Sequence, residues 1–389
     1  MALTLPTADN SLTLPGVYIH IPFCRQACHY CNFHFSTSLR YKEEMIAALV
    51  KEIHLTEVTK ESARPVIGTL YFGGGTPSIL EEKELLDIFR ALKGKFILAE
   101  DTEISLEANP DDITAGKLQE WRSMGINRLS VGIQSFSDSE LKWMNRSHTA
   151  AASLGCIKNI KEAGFTNFSA DLIYGSPLLN DCEWKENVAI LINEGTPHIS
   201  CYAMTVEPGT ALHNRIGRKI SDPVDPEKQA AQFLLLMEWM AEAGYEHYEI
   251  SNFARKGFRS KHNSSYWSGV PYFGFGPAAH SFNGSTRSWN IANNASYIKN
   301  IQHGLLPAEQ ELLTPTQQLN EYIMTSLRTK EGLNLCLISH TFGNSFSEQL
   351  AAKSKKWEAG GKLIIRDQMI ALTNPGKLFA DGIAADLFF

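Results

Sequence analysis

Tyr18-Ile-His-Ile-Pro-Phe-Cys24-Arg-Gln-Ala-Cys28-His-Tyr-Cys31-Asn-Phe33 is the stretch from which the fold is read. A short β-type run, Val17–Ile21, leads directly into a loop that carries three thiols. Three thiolates in one loop can hold three corners of a cubic 4Fe–4S cluster, a group usually held by four cysteines. The next cysteine in the chain is Cys156, so one iron is left open to a ligand from outside the protein. The competing reading is zinc, with Cys24, Cys28 and Cys31 joined by His20, His29 or His34 in a tetrahedral site. Zinc motifs usually come as two separated pairs, and this chain has no second pair.

Around this loop lies an ordinary globular composition. The chain has 389 residues, 43% of them hydrophobic and 20% charged, with a net charge of −6. That length suits one large domain and a smaller one, and the acidic balance gives no general footprint for nucleic acid. No apolar run approaches the roughly 20 residues needed to span a bilayer. Met1 to Gly16 lacks the basic-then-apolar order of a secretory signal. Four further cysteines, Cys156, Cys182, Cys201 and Cys336, are scattered and read as small buried apolar residues of a protein in a reducing compartment. The expected address is the cytosol.

Strand-like and helix-like segments alternate through the first half. The strands are expected at Val17–Ile21, Val66–Phe72, Glu103–Glu107, Arg128–Ile133, Asn167–Ile173 and His198–Met204. Helical patterns fall at about Arg40–Thr56, Glu81–Leu92, Thr114–Met124, Asp138–Met144 with Ala151–Ala163, and Trp184–Asn193. Ser78 with Glu81, and Ser137 with Glu140, read as capping boxes. Gly94, Gly125 and Gly164 read as helix stops. Six parallel βα units make an incomplete barrel, whose chemistry belongs at the C-terminal ends of its strands. Polar and glycine-rich clusters do fall there: the cysteine loop, Gly73-Gly-Gly-Thr-Pro77, Glu107-Ala-Asn-Pro110, Gln134-Ser-Phe136 and Asp171 through Pro177. Beyond Glu207 the pattern gives a helix at Lys228–Ala243, a strand at Tyr245–Ile250, an aromatic and glycine-rich stretch to Phe282, a helical unit from about Thr314, and a hairpin near Lys362–Leu372. The expected divisions are an N-terminal segment at 1–15, the partial barrel at 16–215, an extension at 216–310 and a C-terminal helical, winged-helix-like unit at 311–389.

The triple glycine lets backbone groups reach a ligand without side-chain obstruction, or simply makes a tight strand-to-helix turn. Glu107 and Asn109 can bind ribose hydroxyls, or Glu107 can be a structural partner of Arg128 or Arg146. Gln134, Arg146 and Asp171 are further polar candidates around a nucleoside. His262-Asn-Ser-Ser-Tyr266-Trp267 and the following Tyr272-Phe-Gly-Phe275 offer an imidazole and flat apolar surface, which suit a haem iron and a porphyrin face. A histidine beside aromatics is more often a satisfied core residue.

The cysteine loop resembles the CxxxCxxC signature of the radical-SAM superfamily, in which S-adenosylmethionine fills the open iron through its amino and carboxylate groups. Across nearly the whole chain the sequence resembles the HemW family, haem chaperones related to oxygen-independent coproporphyrinogen III dehydrogenase. The matching stretches are Tyr18 to Cys24, the triple glycine, Glu107-Ala-Asn-Pro, Asn127 to Phe136, Asp171-Leu-Ile-Tyr-Gly, Tyr248 to Phe253 and His262 to Trp267. The resemblance implies an α/β protein, a partial (βα)6 radical-SAM barrel followed by a smaller, mainly helical C-terminal domain. It implies a 4Fe–4S cluster on Cys24, Cys28 and Cys31, and S-adenosylmethionine contacts at Tyr18, Gly74, Gly75, Thr76, Glu107, Gln134, Arg146 and Asp171. It makes His262 the leading haem ligand, and implies haem delivery to haem proteins such as membrane respiratory enzymes, with a homodimer as a further expectation. The related dehydrogenase carries a fourth cysteine two places after the third, where this chain has Phe33, and a longer arm ahead of the cysteines than the 23 residues here. The alternative activity is that of the dehydrogenase, radical oxidative decarboxylation of porphyrinogen propionates.

Overall fold

The computed structural model describes residues 14–58 and 64–389, so most of the expected N-terminal segment lies outside the described residues. Six parallel strands, β1 (Gly16–Ile21), β2 (Val66–Gly74), β3 (Ile97–Ala108), β4 (Arg128–Gln134), β5 (Phe168–Tyr174) and β6 (His198–Ala203), stand side by side in chain order. The helices between them are α1 (Lys42–Leu55), α2 (Glu82–Lys95), α3 (Ala115–Met124), α4 (Asp138–Trp143), α5 (Ala150–Glu162) and α6 (Asp181–Asn193). The sheet does not close on itself. Beyond β6 it continues antiparallel into β8 (Asn252–Ala254) and β7 (Glu246–Glu249). Beyond β1 it continues into β9 (Tyr272–Phe275), β10 (His280–Phe282), β11 (Thr286–Asn290) and β12 (Ala308–Leu312).

Side chains on a strand alternate between its two faces. One parity is apolar and sealed under the helices: Val17, Ile19, Leu70, Phe72, Leu106, Leu129, Val131, Ala170, Leu172 and Ile199 are all at most 1% exposed. They pack against Met45, Leu49, Ile88, Leu118 and Ile157 in one continuous core. Each such side chain contributes roughly 1.5–3 kcal/mol by leaving water. The other parity is polar and faces inward: Tyr18, Thr69, Tyr71, Ser105, Glu107, Ser130, Asp171 and Ser200. The sequence therefore supplies an oil layer outside and a hydrogen-bonding lining inside.

After β6 come α7 (Ala211–Gly217), α8 (Pro226–Glu242), α9 (Lys261–Trp267) and α10 (Asn294–Gln302). The C-terminal unit has its own core, built on Leu319, Ile323, Ile338, Leu350 and Ile383. It contains α11 (Pro315–Leu327), α12 (Leu335–Phe342), α13 (Asn344–Ala359), α14 (Asn374–Lys377) and α15 (Ala380–Leu387) beside a small antiparallel sheet. The expected hairpin is β14 (Leu363–Arg366) with β15 (Met369–Leu372), and β13 (Leu333–Asn334) adds a third strand that the sequence did not announce.

Several local expectations are corrected. The first capping box is Glu81 with Glu84, because Ser78 sits one turn earlier and spends its hydroxyl on Asp112 at 2.7 Å. Ser137 is the N-cap residue of α4 but makes no side-chain cap bond, and Glu140 instead accepts from Ser135 at 2.6 Å. Gly94 is the penultimate residue of α2 and stays helical, whereas Gly125 (φ 97°) and Gly164 (φ 78°) close helices in the left-handed conformation. Of the scattered cysteines, Cys156 and Cys201 are buried but Cys182 and Cys336 are exposed.

Candidate functional site

The loop after β1 is pinned at several points to neighbours that are remote in sequence. Cys24 N–H donates to Ser36 O at 3.0 Å, and Ser36 N–H to Pro22 O at 2.9 Å. Arg25 pairs with Asp112 at 3.0 Å, and the same carboxylate holds Ser78. The segment after α4 grips the loop from the other side. Asn145, left-handed at φ 60°, donates to Ala27 O at 2.8 Å, and His29 N–H donates to Met144 O at 3.0 Å. Asn is among the few non-glycine residues that accept that conformation. The result is a fixed loop presenting three half-buried free thiols, Cys24, Cys28 and Cys31.

Burial pushes the Cys24 thiol up to about 11 and raises Cys31 as well. A metal held by these thiols would have to displace their protons. Arg146 supplies compensating charge, with Nη1 donating to Cys28 Sγ at 3.3 Å. The three histidines that a zinc site would need are committed elsewhere. His20 Nε2 faces His34 O at 2.9 Å, His29 Nδ1 faces Trp143 O at 2.7 Å, and His34 Nε2 faces Asn294 Oδ1 at 2.7 Å. Among the described residues no three His, Cys, Asp or Glu side chains converge on one point, as a single tetrahedral ion requires.

The triple glycine is fixed by steric demand. Gly75 N–H donates to Ile21 O at 2.8 Å and Thr76 N–H to Phe23 O at 2.7 Å, so this turn is zipped to the start of the cysteine loop. A Cβ on Gly75 would sit 2.5 Å from Phe23 O, and one on Gly74 would sit 2.6 Å from the His20 ring. Glu107 lies across the turn. Its Oε1 accepts from the Tyr71 hydroxyl at 2.8 Å and its Oε2 from Gly74 N–H at 3.1 Å. The expected partners Arg128 and Arg146 are not its partners: Arg128 is held by Asn167, and Arg146 by Asn109 and Gly132. Burial, and then the charge of Asp171, pushes Glu107 up to about 7, and burial pushes Asp171 up to about 6.

Cys24, Cys28, Cys31, Gly74, Gly75, Thr76, Glu107, Gln134, Arg146 and Asp171 thus share the inner face or the C-terminal mouth of β1–β5, with Tyr18 stacked on Tyr71 just below. Besides Ser105 Oγ, two buried polar atoms there have no partner, Asp171 Oδ1 and Arg146 Nε. One asks for a donor and the other for an acceptor, which a zwitterionic nucleoside with ribose hydroxyls supplies. The donor set beside the thiols fits S-adenosylmethionine, and three thiols without a fourth fit a cluster with one open iron.

His262 is not at this mouth. It lies on α9 against the inner face of β2, 2% exposed, with its ring stacked 4.9 Å from Tyr71. Nδ1 is 2.7 Å from Thr69 Oγ1 and Nε2 is 3.0 Å from the Tyr266 hydroxyl. Burial brings it down to about 3, so the ring is neutral. Sequence reasoning missed Tyr71 and Asp112. The period-two pattern Thr69, Tyr71, Gly73 on β2 was the available signal for the first. For Asp112, packed from a separate turn, there was none.

Comparison with known proteins agrees with this arrangement. Residues 18–191 match the Radical SAM superfamily and residues 313–379 match the HemN C-terminal domain. The chain is 33% identical to the "Heme chaperone HemW" of Bacillus subtilis over 95% of this chain and 98% of that one. It is 32% identical to the protein of that name from Mycobacterium tuberculosis, over 96% and 94% of the two chains. The solved structure of coproporphyrinogen III oxidase (HemN) from Escherichia coli, described as a radical SAM enzyme, superposes with a TM-score of 0.83 at 23% identity over 97% of this chain and 91% of that one. By fold, by domain content and by identity along nearly its full length, the chain belongs to the HemW family of radical-SAM proteins.

Proposed function

We propose that this protein is a haem chaperone that binds haem and hands it to haem proteins, membrane respiratory enzymes among them. The observation that carries the reading is the end-to-end likeness to proteins named heme chaperones, with both family segments in place. Phe33, 71% exposed beside Cys31, supports it, since it stands where the dehydrogenase motif has a fourth cysteine. Cys24, Cys28 and Cys31 hold a 4Fe–4S cluster in this reading. Gly74, Gly75, Thr76, Glu107, Gln134, Arg146 and Asp171 surround S-adenosylmethionine. When bound, the pair supplies one-electron reducing chemistry at a sulfonium centre. The chain's own part is to fix the thiols, to neutralise them with Arg146, and to receive an ammonium group at Glu107. Among the described residues no helix is long and apolar enough to cross a membrane, so contact with a membrane acceptor runs through surface docking in this proposal.

The test is a paired assay on one anaerobically reconstituted sample, with iron and sulfide quantified. Haem titration and transfer to an apo-haem protein are expected to succeed, and conversion of coproporphyrinogen to protoporphyrinogen is expected to be absent. Turnover without haem binding overturns the reading in favour of the dehydrogenase.

A further inference from the structure

The inner face of the barrel does not stop at β1. Tyr18 stands opposite Gly274 on β9, Tyr272 opposite Phe282 on β10, Phe282 opposite Arg287 on β11, and His280 opposite Trp289. Cross-strand partners share a face of the sheet. Tyr272, His280, Phe282, Arg287 and Trp289 therefore stand on the side of Tyr18. Phe273 and Phe275 turn to the other side and pack on Phe96, with ring centroids 5.2 and 6.2 Å away.

Two rows of this face differ in their cover. Tyr272, Phe282 and Arg287 look across at α11 and, with Tyr266, Trp267 and Phe342, line a cavity of about 200 Å³. Arg287, the one cation among the described lining residues, is neutralised by Glu321 of α11 at 2.8 Å. The cavity is smaller than the roughly 300–1,000 Å³ of a complete small-molecule site, so it suits the apolar edge of a larger ligand. His280 and Trp289 form the next row, outside that lining. His280 is exposed, with its ring centroid 6.1 Å from that of Trp289 and its plane tilted by 32°.

The backbone fixes where His280 stands. A Cβ on Gly274 would overlap His280 O, so only glycine lets β10 cross there. Gly274 N–H donates to Ser281 Oγ at 2.8 Å. The turn ahead of β10 is tied to β11 on both sides, Ala278 N–H donating to Ile291 O at 3.2 Å and Asn290 N–H to Ala279 O at 2.9 Å. Ala278 holds a left-handed φ of 59°, which alanine rarely adopts. The imidazole, by contrast, is uncommitted. Neither ring nitrogen has a hydrogen-bond partner among the described residues. Partial burial, and then the charge of Arg287, hold the ring below its ordinary range, so at neutral pH it keeps a lone pair for a metal.

We propose that haem is carried on this platform, with its iron on an imidazole nitrogen of His280, its ring against Trp289 and an apolar edge in the cavity beside Tyr272 and Phe282. The proposal rests on the haem-carrying function above and places the cargo. Residues two apart on a strand lie about 7 Å apart along it, so a ring centred on His280 reaches the cavity beside Phe282. No unpaired cation stands among the described residues of that cavity, so the propionates stay in water. Metal-ligating histidines are usually held by a hydrogen bond on their second nitrogen, which strengthens their grip. His280 has none and faces solvent, so a ligand of the recipient protein can replace it, as hand-over requires. His262 does not compete, because both of its nitrogens are engaged in the interior.

The experiment titrates ferric haem, and metal-free protoporphyrin, into the full-length wild type and into His280→Ala, Trp289→Ala and His262→Ala. His280→Ala is expected to shift the Soret band and to weaken haem at least about tenfold, with added imidazole restoring the band. Its affinity for protoporphyrin is expected to stay unchanged, whereas Trp289→Ala is expected to weaken both ligands. His262→Ala is expected to keep the wild-type band. Should His262→Ala fold poorly, the imidazole rescue of His280→Ala still decides, since His280 is exposed and its loss spares the core. An unaltered band and affinity in His280→Ala, or a band change confined to His262→Ala, overturns the platform and leaves the chaperone reading standing. A wild type that takes no haem overturns both.

Discussion

Arg146 Nη1 donates to Cys28 Sγ at 3.3 Å while its Nη2 donates to Asn109 Oδ1 at 2.8 Å and to Gly132 O at 2.7 Å. One guanidinium therefore ties the thiol loop to the ends of β3 and β4. Lysine is a point charge on a flexible stem and cannot serve all three partners. Arg146→Lys is expected to keep the fold but to hold less iron and sulfide per chain after reconstitution. Arg146→Ala additionally leaves buried acceptors without donors, at about 1–3 kcal/mol each. Iron content and urea unfolding of the two variants check this, and iron equal to that of wild type in both would remove Arg146 from cluster binding.

Two glycines make a matched pair. A Cβ on Gly75 would meet Phe23 O at 2.5 Å and Ile21 O at 2.8 Å, both of them backbone that cannot turn aside, whereas one on Gly94 would meet nothing within 4 Å. Gly75→Ala is expected to displace the start of the thiol loop, and with it the cluster. Gly94→Ala, in the last turn of α2, is expected to stabilise the protein by at most about 0.5–1 kcal/mol, the gain of alanine over glycine in mid-helix. Denaturant midpoints with iron content measure both effects.

These residues also show what sequence can and cannot convey. The six parallel strands were legible because their β-forming runs recur at βα spacing, and the mouth was legible because most of its polar and glycine residues lie near strand ends, with Arg146, in the segment after α4, the exception. Which residues partner each other was not. His262 is buried by Thr69, which lies 193 positions away, so a motif that reads as an open aromatic surface is in fact packed. Ser78 read as a cap because the competing claim of Asp112 belongs to another βα unit. The pairing of β1 with β9, Tyr18 opposite Gly274, likewise joins distant stretches through register alone. Short-range periodicity carries none of these facts.

Glu52 gives a pH signature. It is 3% exposed on α1 and accepts from Gly276 N–H at 2.8 Å and from Asn290 Nδ2 at 2.5 Å, with the Tyr297 hydroxyl as a third donor. Burial outweighs these bonds and raises it from 4.5 to about 7. Between those two values the folded protein keeps a proton that the unfolded chain has lost. This contribution to stability therefore falls as pH rises through that window, by about 3 kcal/mol at most. The buried histidines His20 and His148, both lowered to about 4, act in the opposite sense below 6.5. The difference between wild type and Glu52→Gln isolates the Glu52 term. It is expected to shift in favour of the variant as pH rises from about 4.5 to about 7, and a difference independent of pH would mean that Glu52 stays ionised.

Tyr71 connects the mouth to the barrel interior. Its hydroxyl donates to Glu107 Oε1 at 2.8 Å, and its ring stacks on His262. Burial holds Glu107 near 7, and the Tyr71 bond works against that rise. Removing the hydroxyl raises the carboxyl further and leaves it more protonated at neutral pH, so a cationic amino group beside Gly74 loses an anionic partner. Tyr71→Phe is expected to weaken S-adenosylmethionine binding by about two- to tenfold near pH 7. The deficit is expected to shrink at about pH 9, where the carboxyl is ionised with or without its donor. The phenylalanine ring preserves the stack on His262, so haem affinity is expected to stay unchanged. Calorimetric titration of both ligands at the two pH values separates the roles, and a deficit equal at both pH values would show that the hydroxyl acts through packing and not through the charge of Glu107.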